Sequence, residues 1–266
     1  MKLAVITGAS SGIGAATARL LAGGDFKVVL VARGRTELEK LAAEVGGNAV
    51  VEALDASNGE EVLATAERIR RDHGVPDVIV NSAGAGEWDW IENTSPEDAV
   101  RMMQAPYFAA FNLTRAFMRG MLERGSGVII HVNSPVSWAT WPACTSYAAV
   151  RWALRGLHEA LCDDLWRTGV HSCQVVFGRV SSAYFDRNPG TIEKIPGIAR
   201  TIRTISPEEC ARVISRVANR PRRQVVYPFM LRFYYWNHAV FPWATRWLMR
   251  RTGARRPPTR VDAPRA

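Results

Sequence analysis

Short apolar runs alternate with amphipathic stretches along most of the chain. Residues 2–7 (KLAVIT), 27–32 (KVVLVA), 49–54 (AVVEAL), 77–81 (DVIVN), 128–132 (VIIHV) and 170–177 (VHSCQVVF) are almost continuously apolar. Strands buried on both faces read this way, whereas a strand with one wet face alternates. Between them, 13–23, 36–45, 60–73, 96–124 and 147–167 repeat apolar positions at helical spacing. Strand, helix and strand in this order imply right-handed crossovers and an α/β fold, a doubly wound parallel sheet with helices on both faces. After Gly178 the pattern weakens, and 181–205 carries Pro and Gly without a period. Ser206, Pro207 and Glu209 then make a helix start: Ser caps free N–H groups, Pro suits the first helical position, and Glu at the third reaches back. They predict a helix over 207–219 and a last strand near 224–227. A single domain over 1–227 is expected, followed by an aromatic and basic segment, 228–252. Residues 253–266 offer no apolar face and are expected to be disordered.

A length of 266 residues suits one large domain, and 47% hydrophobic with 22% charged residues excludes a disordered, collagen-like or disulfide-knotted chain. Cys144, Cys162, Cys173 and Cys210 have no CxxC spacing and read as reduced thiols of an intracellular protein, not as a metal site. Charge is sorted unevenly. Fifteen arginines and three acids fall within 200–266, so this stretch carries +12 of a chain whose total is +9. Its arginines are mixed with Trp, Tyr and Phe, which suits a membrane surface; no nucleic-acid module is recognised, and no nucleic-acid partner is expected. The opening apolar run is too short for a signal peptide, and no stretch reaches the roughly 18 apolar residues of a spanning helix. A cytoplasmic protein, peripheral to a membrane at most, is the expectation.

Thr7-Gly8-Ala9-Ser10-Ser11-Gly12-Ile13-Gly14 joins the first predicted strand to the first helix. Glycines let the backbone approach a pyrophosphate closely, and the helix N-terminus offers unpaired N–H groups and partial positive charge. In a strand–turn–helix context this reads as a dinucleotide site. The spacing TGxxxGxG resembles that of the short-chain dehydrogenase/reductase family, and further motifs agree in order over about 2–227. Asn81-Ser82-Ala83-Gly84 resembles the NNAG motif that ends the fourth strand, and Asp55 the acid that binds the adenine amino group. Tyr147 stands 13 residues after Ser134, the family's usual spacing, and Phe177-Gly178-Arg179-Val180 resembles its PGxV turn. The resemblance implies a Rossmann-like fold with a nicotinamide cofactor. It assigns that cofactor to Thr7, Gly8, Ser10, Ser11, Gly12, Ile13, Gly14, Asp55, Asn81, Ala83, Gly84, Tyr147, Arg151, Gly178 and Val180. It also implies a homodimer or homotetramer built through 96–124 and 147–167. The second strand ends Val31-Ala32-Arg33. Ala32 offers no carboxylate to ribose hydroxyls, and Arg33 sets a guanidinium where a 2′-phosphate would lie, so NADP(H) is expected.

By resemblance Tyr147 is the acid/base and Ser134 holds the substrate carbonyl. A tyrosine, with an ordinary pKa of about 10, needs a nearby cation to serve at neutral pH. The family places a Lys four residues after the Tyr; here the residue is Arg151. Residues four apart share a helix face, so Arg151 can reach Tyr147 and the nicotinamide ribose, but it does not relay protons as an ammonium does. The family's helix Asn falls on Pro106, with Gln104 close by. The leading expectation is an oxidoreductase interconverting a carbonyl and an alcohol. The alternative is a cofactor-binding scaffold or sensor whose catalysis is weak or lost.

Trp88 and Trp90, and Trp138 and Trp141, lie in two loops that border the substrate crevice by resemblance. They point to a bulky apolar substrate such as a lipid, steroid or aromatic compound, with core or subunit packing as the other reading. Residues 181–205 read as a lid over that crevice. Further on, Trp243 and Trp247 stand beside Arg246, Arg250 and Arg251. The stretch 228–256 fits two readings equally: a membrane–water interface, or a helix pair packed on the domain or on a partner subunit.

Overall fold

A computed structural model describes residues 1–84 and 86–256. Its strands are β1 (Lys2–Thr7), β2 (Phe26–Ala32), β3 (Ala49–Ala53), β4 (Val78–Asn81), β5 (Gly127–Asn133), β6 (Val170–Phe177) and β7 (Gln224–Tyr227). They form one parallel sheet in the order β3-β2-β1-β4-β5-β6-β7, the doubly wound arrangement expected from the apolar runs. The helices up to the lid are α1 (Gly12–Ala22), α2 (Arg35–Val45), α3 (Gly59–His73), α4 (Pro96–Met103), α5 (Ala109–Arg124) and α6 (Thr145–Asp164). After β6 come α7 (Tyr184–Arg187), α8 (Pro207–Asn219), α9 (Phe229–Val240) and α10 (Pro242–Thr252).

Alternate strand residues face opposite sides, so each apolar run feeds two cores. Ala4, Ile6, Val28 and Leu30 pack under α1, α2 and α8, with Leu21, Leu38 and Ile214 fully or almost fully buried. Leu3, Val5, Val29 and Val31 face the other way, against α3 and α5, through Ile69, Leu113 and Phe117. The chain reverses its winding at β1, which pairs with β2 on one side and β4 on the other. A crevice opens at the carboxyl ends of the strands there, where ligands of such sheets bind.

The predicted single helix over 96–124 breaks. A π turn over Gln104–Phe108 separates α4 from α5. Pro106 lies in that turn; it has no N–H to give the preceding turn and its ring crowds the carbonyl behind it, so the coil widens locally. The Ser206 cap is present as expected, with the Glu209 N–H donating to the Ser206 hydroxyl and the Ser206 N–H to the Glu209 carboxylate. Beyond β7 the chain forms α9 and α10, and Leu231, Tyr234 and Tyr235 of α9 pack on Trp138, Val176 and Val226. Arg256 pairs with Glu92 at 2.6 Å and stands over Trp90. The rest of the tail expected to be disordered, 257–266, lies outside the described residues. All four cysteines are free, and Cys162 alone of them is only half-buried. Among the described residues no helix is long and apolar enough to cross a membrane.

Candidate active site

The β1–α1 turn works because two of its glycines cross. A Cβ on Gly14 would lie 2.3 Å from the Gly8 carbonyl oxygen, so only glycine lets the helix start this close to the strand end. Thr7 ties this turn to the next strand: its hydroxyl accepts from the Ser82 and Ala83 N–H groups, both at 3.1 Å. By helix geometry the first-turn N–H groups of α1 have no partner within the helix, and Gly12 and Ile13 of that turn line the crevice. Ser11 caps that helix in an extended conformation.

One cavity of about 960 Å³ runs along the carboxyl ends of the strands. This lies at the upper end of the roughly 300–1,000 Å³ typical of ligand sites. Thr7, Gly8, Ser10, Ser11, Gly12 and Ile13 line one part of it, and Arg33 and Asp55 flank that part at the ends of β2 and β3. Ala83, Gly84, Ser134, Tyr147, Arg151, Gly178 and Val180 line it as well. Two of the residues assigned to the cofactor by sequence do not reach the cavity. Gly14 sits behind the turn, and Asn81 is buried, its amide nitrogen 3.3 Å from both the Thr114 hydroxyl and His131 Nδ1.

Ser134 follows β5, and Tyr147 lies in the first turn of α6 with Arg151 one turn on. Arg151 is buried, and its Nη1 donates to the Val132 carbonyl at 3.1 Å. Its guanidinium carbon stands 5.1 Å from the centroid of the Tyr147 ring, so the cation lies over the ring face. This packing needs a bare backbone opposite: a Cβ on Gly84 would lie 2.9 Å from Arg151 Nη2. Gly86, at φ +153, presses on the other partner, where a Cβ would come within 2.6 Å of Tyr147 Cδ2.

Aromatic rings roof the tyrosine. Trp88 lies 5.3 Å by centroid from both Tyr147 and Trp141. Trp138 borders the cavity but is also core, with its ring 5.3 Å from Tyr235 and 5.5 Å from His238 of α9. Trp90 does not line the cavity.

Several residues that shape the site carry no motif in the sequence. Tyr184, in the segment read as a lid, packs with Trp88 and Tyr147, and its hydroxyl donates to the Gly86 carbonyl at 2.8 Å. Burial first, and then the neighbouring Tyr147, push the Tyr184 phenol above the usual tyrosine range. Lys194 donates to the Trp88 carbonyl and pairs with Asp89 at 3.4 Å, fastening the same segment to the loop after β4. Behind Arg151, the Asn133 amide donates to the Arg151 carbonyl at 3.1 Å and to Gln174 at 2.8 Å.

A family model described as short chain dehydrogenase matches residues 2–190. An uncharacterized oxidoreductase of Mycobacterium tuberculosis is 34% identical over 235 residues, covering 84% of this chain; the chain spans 65% of that relative's length. Among solved structures, the alcohol dehydrogenase of Thermococcus sibiricus in complex with 5-hydroxy-NADP is 27% identical, with a TM-score of 0.75, over 85% of this chain and 96% of the other. A metagenomic short-chain oxidoreductase in complex with NADP is 29% identical, with a TM-score of 0.72, over the same shares. With motif order, sheet topology and these likenesses in agreement, the chain belongs to the short-chain dehydrogenase/reductase family of oxidoreductases.

Proposed function

We propose that this chain is an NADP(H)-dependent oxidoreductase that interconverts a carbonyl and an alcohol on a bulky apolar substrate. One observation carries the reading: Ser134, Tyr147 and Arg151 open into the same cavity as the glycine turn of α1. The residues fit the cofactor. A bare turn at a helix N-terminus suits a diphosphate, and Arg33 lines the cavity with no ion-pair partner among the described residues, which suits a 2′-phosphate. Complexes of similar proteins, with NADP in one, 5-hydroxy-NADP in another and NADH in a third, support a nicotinamide dinucleotide in this cavity, and Arg33 is what favours the 2′-phosphate form. When bound, the cofactor supplies or accepts the hydride at the substrate carbon. In the reducing direction the Tyr147 hydroxyl gives its proton to the substrate oxygen, while the Ser134 hydroxyl donates a hydrogen bond that holds that oxygen. Arg151 keeps a fixed cation on the Tyr147 ring and offers donors to the ribose hydroxyls. Trp88, Trp141 and Ile195 give the substrate end an apolar roof.

A second reading, a cofactor-bound scaffold or sensor with little turnover, is favoured by the same Arg151. Its Nη1 is committed to Val132 and its cation lies on the ring face, so the proton-relaying ammonium of the family is missing.

Fluorescence titration against NADPH and NADH tests the cofactor, with tighter NADPH binding expected. Tyr147→Phe then separates the two readings. It is expected to lower turnover of apolar ketones by about 10²–10⁴-fold, the usual worth of a general acid, while NADPH affinity stays within a factor of about two. NADPH binding with no turnover by the unaltered chain, across a panel of carbonyls and alcohols, selects the scaffold.

A further inference from the structure

We propose that α9 and α10 form a docking surface for an anionic phospholipid bilayer. The argument starts from the two faces of α9. Leu231, Tyr234, Tyr235 and His238 recur at helical spacing and face the domain, where they meet Trp138 and Val226. A surface helix is expected to be polar on its other face. Here Phe229, Phe233, Trp236 and Val240, spaced four, three and four apart, form a second apolar stripe, and all four are exposed, between 46% and 67%. Phe241, Trp243 and Trp247 continue the exposure around the turn and along α10, at 51%, 71% and 62%. A helix apolar on both faces is buried or lies against lipid, and a contiguous exposed patch of this kind marks an interaction site.

Charge selects the occupant. Pro228 to Arg256 contains six arginines and no acid or lysine. Among the described residues Arg232, Arg246, Arg250 and Arg251 have no ion-pair partner. Arg232 instead lies between rings of the stripe, 5.2 Å from the centroid of Phe229 and 5.3 Å from that of Trp236. Arg246 and Arg250 border a cleft of about 250 Å³ with Thr140, Trp141 and Pro142. Unpaired guanidinium groups among exposed rings match the bilayer interface, where rings sit at headgroup depth and arginine meets phosphate. A second copy of this face would bring the four unpaired arginines of α9 and α10 against four more.

The surface also touches the catalytic cavity. Leu231 and Tyr234 of α9 and Met249 of α10 line that cavity from the faces opposite the exposed stripe. One helix thickness, about 10 Å, therefore separates the stripe from the cavity. Given the redox reading above, on which this last step rests, the substrate is an amphiphile drawn from the bilayer.

Co-sedimentation of the full chain with vesicles, in the absence of cofactor and substrate, tests docking without reference to the redox reading. The chain is expected to pellet with vesicles of phosphatidylcholine mixed with phosphatidylglycerol, and hardly at all with phosphatidylcholine alone. Arg246→Gln with Arg250→Gln is expected to weaken binding to the mixed vesicles by roughly 30-fold, two arginines' worth of surface attraction. Phe233→Glu with Trp236→Glu is expected to abolish it, with thermal melting as the check that both variants fold. Failure of the unaltered chain to pellet with mixed vesicles overturns the proposal, as does equal binding by both folded variants. A stable dimer that the Glu variant splits, without vesicle binding by the parent, assigns the face to a second copy and also overturns it.

Discussion

Arg151 holds its place through contacts that a lysine would not make. Its fork reaches the Val132 carbonyl, its plane lies on Tyr147, and Gly84 leaves the room for both. Tyr147 is thus clamped between a guanidinium and the backbone of Gly86. The second half of that clamp gives a sharp test. At φ +153 a side chain is strained by about 1–3 kcal/mol, and an alanine Cβ would collide with Tyr147 Cδ2 at 2.6 Å. Gly86→Ala is expected to cut turnover by at least about 10²-fold through displacement of the phenol, as misplacing a reacting group by about 1 Å does. NADPH affinity should fall far less than turnover, since the Gly86 Cβ would meet the Tyr147 ring and not the glycine turn; equal loss of both would mean general unfolding instead. Ser134 and Tyr147 could be picked out by their fixed spacing in the sequence, and both line the cavity. Tyr184 was not, since it meets the Gly86 carbonyl from 98 residues away in a segment with no period.

Among the elements, those set by local rules were read correctly and those set by a single exception were not. The β strands follow from apolar runs, and α8 from its cap. The break between α4 and α5 rests on Pro106 alone, inside a pattern whose helical period continues on both sides. The α8 cap is more than a box, because Glu209 also receives Arg203, at 2.6 and 3.1 Å, and the Tyr227 hydroxyl at 3.0 Å. The Arg203 guanidinium first, and the Ser206 N–H next, hold the Glu209 carboxyl down at about 2. A depressed carboxyl contributes stability above its unfolded value of about 4.3, and that contribution fades as pH falls towards the folded value. Glu209→Gln is therefore expected to lower the melting temperature at pH 7 and 5, with the deficit shrinking by pH 3. A deficit that persists undiminished at pH 3 would show that the carboxylate charge contributes nothing.

Across the whole molecule, the two cores differ in kind. The face under α1, α2 and α8 is apolar throughout, but the other face carries a polar belt where β4, β5 and β6 meet α5 and α6: Asn81, His131, Asn133, Ser172 and Gln174. The run 128–132 marks its strand as buried on both faces, but a single His inside it carries no motif, so its ring pairing with His158 was not legible. The His158 ring, from α6, lies 6.1 Å from that of His131, and its Nδ1 lies 2.9 Å from the Ser172 hydroxyl. Burial, helped by the charge His158 would carry, pushes the His131 ring down to about 3; burial also lowers His158 to about 4, against the opposing pull of Glu159 and with Arg223 and Arg155 adding to it. Both rings are therefore neutral in the fold, while the unfolded chain protonates them below about 6.5. The unfolded state then binds more protons, so stability must fall as pH drops through that value. Over the window from pH 7 to 5 carboxylates stay largely ionised, and each ring is expected to cost about 2 kcal/mol. Urea unfolding at the two pH values measures the loss. Replacing both rings (His131→Gln with His158→Gln) should lower stability at pH 7 through lost packing, yet remove about 4 kcal/mol of the decline between pH 7 and 5. If the variant declines as steeply as the parent, the belt is not the source of acid sensitivity, and the buried rings are charged or solvated in a way this packing does not allow.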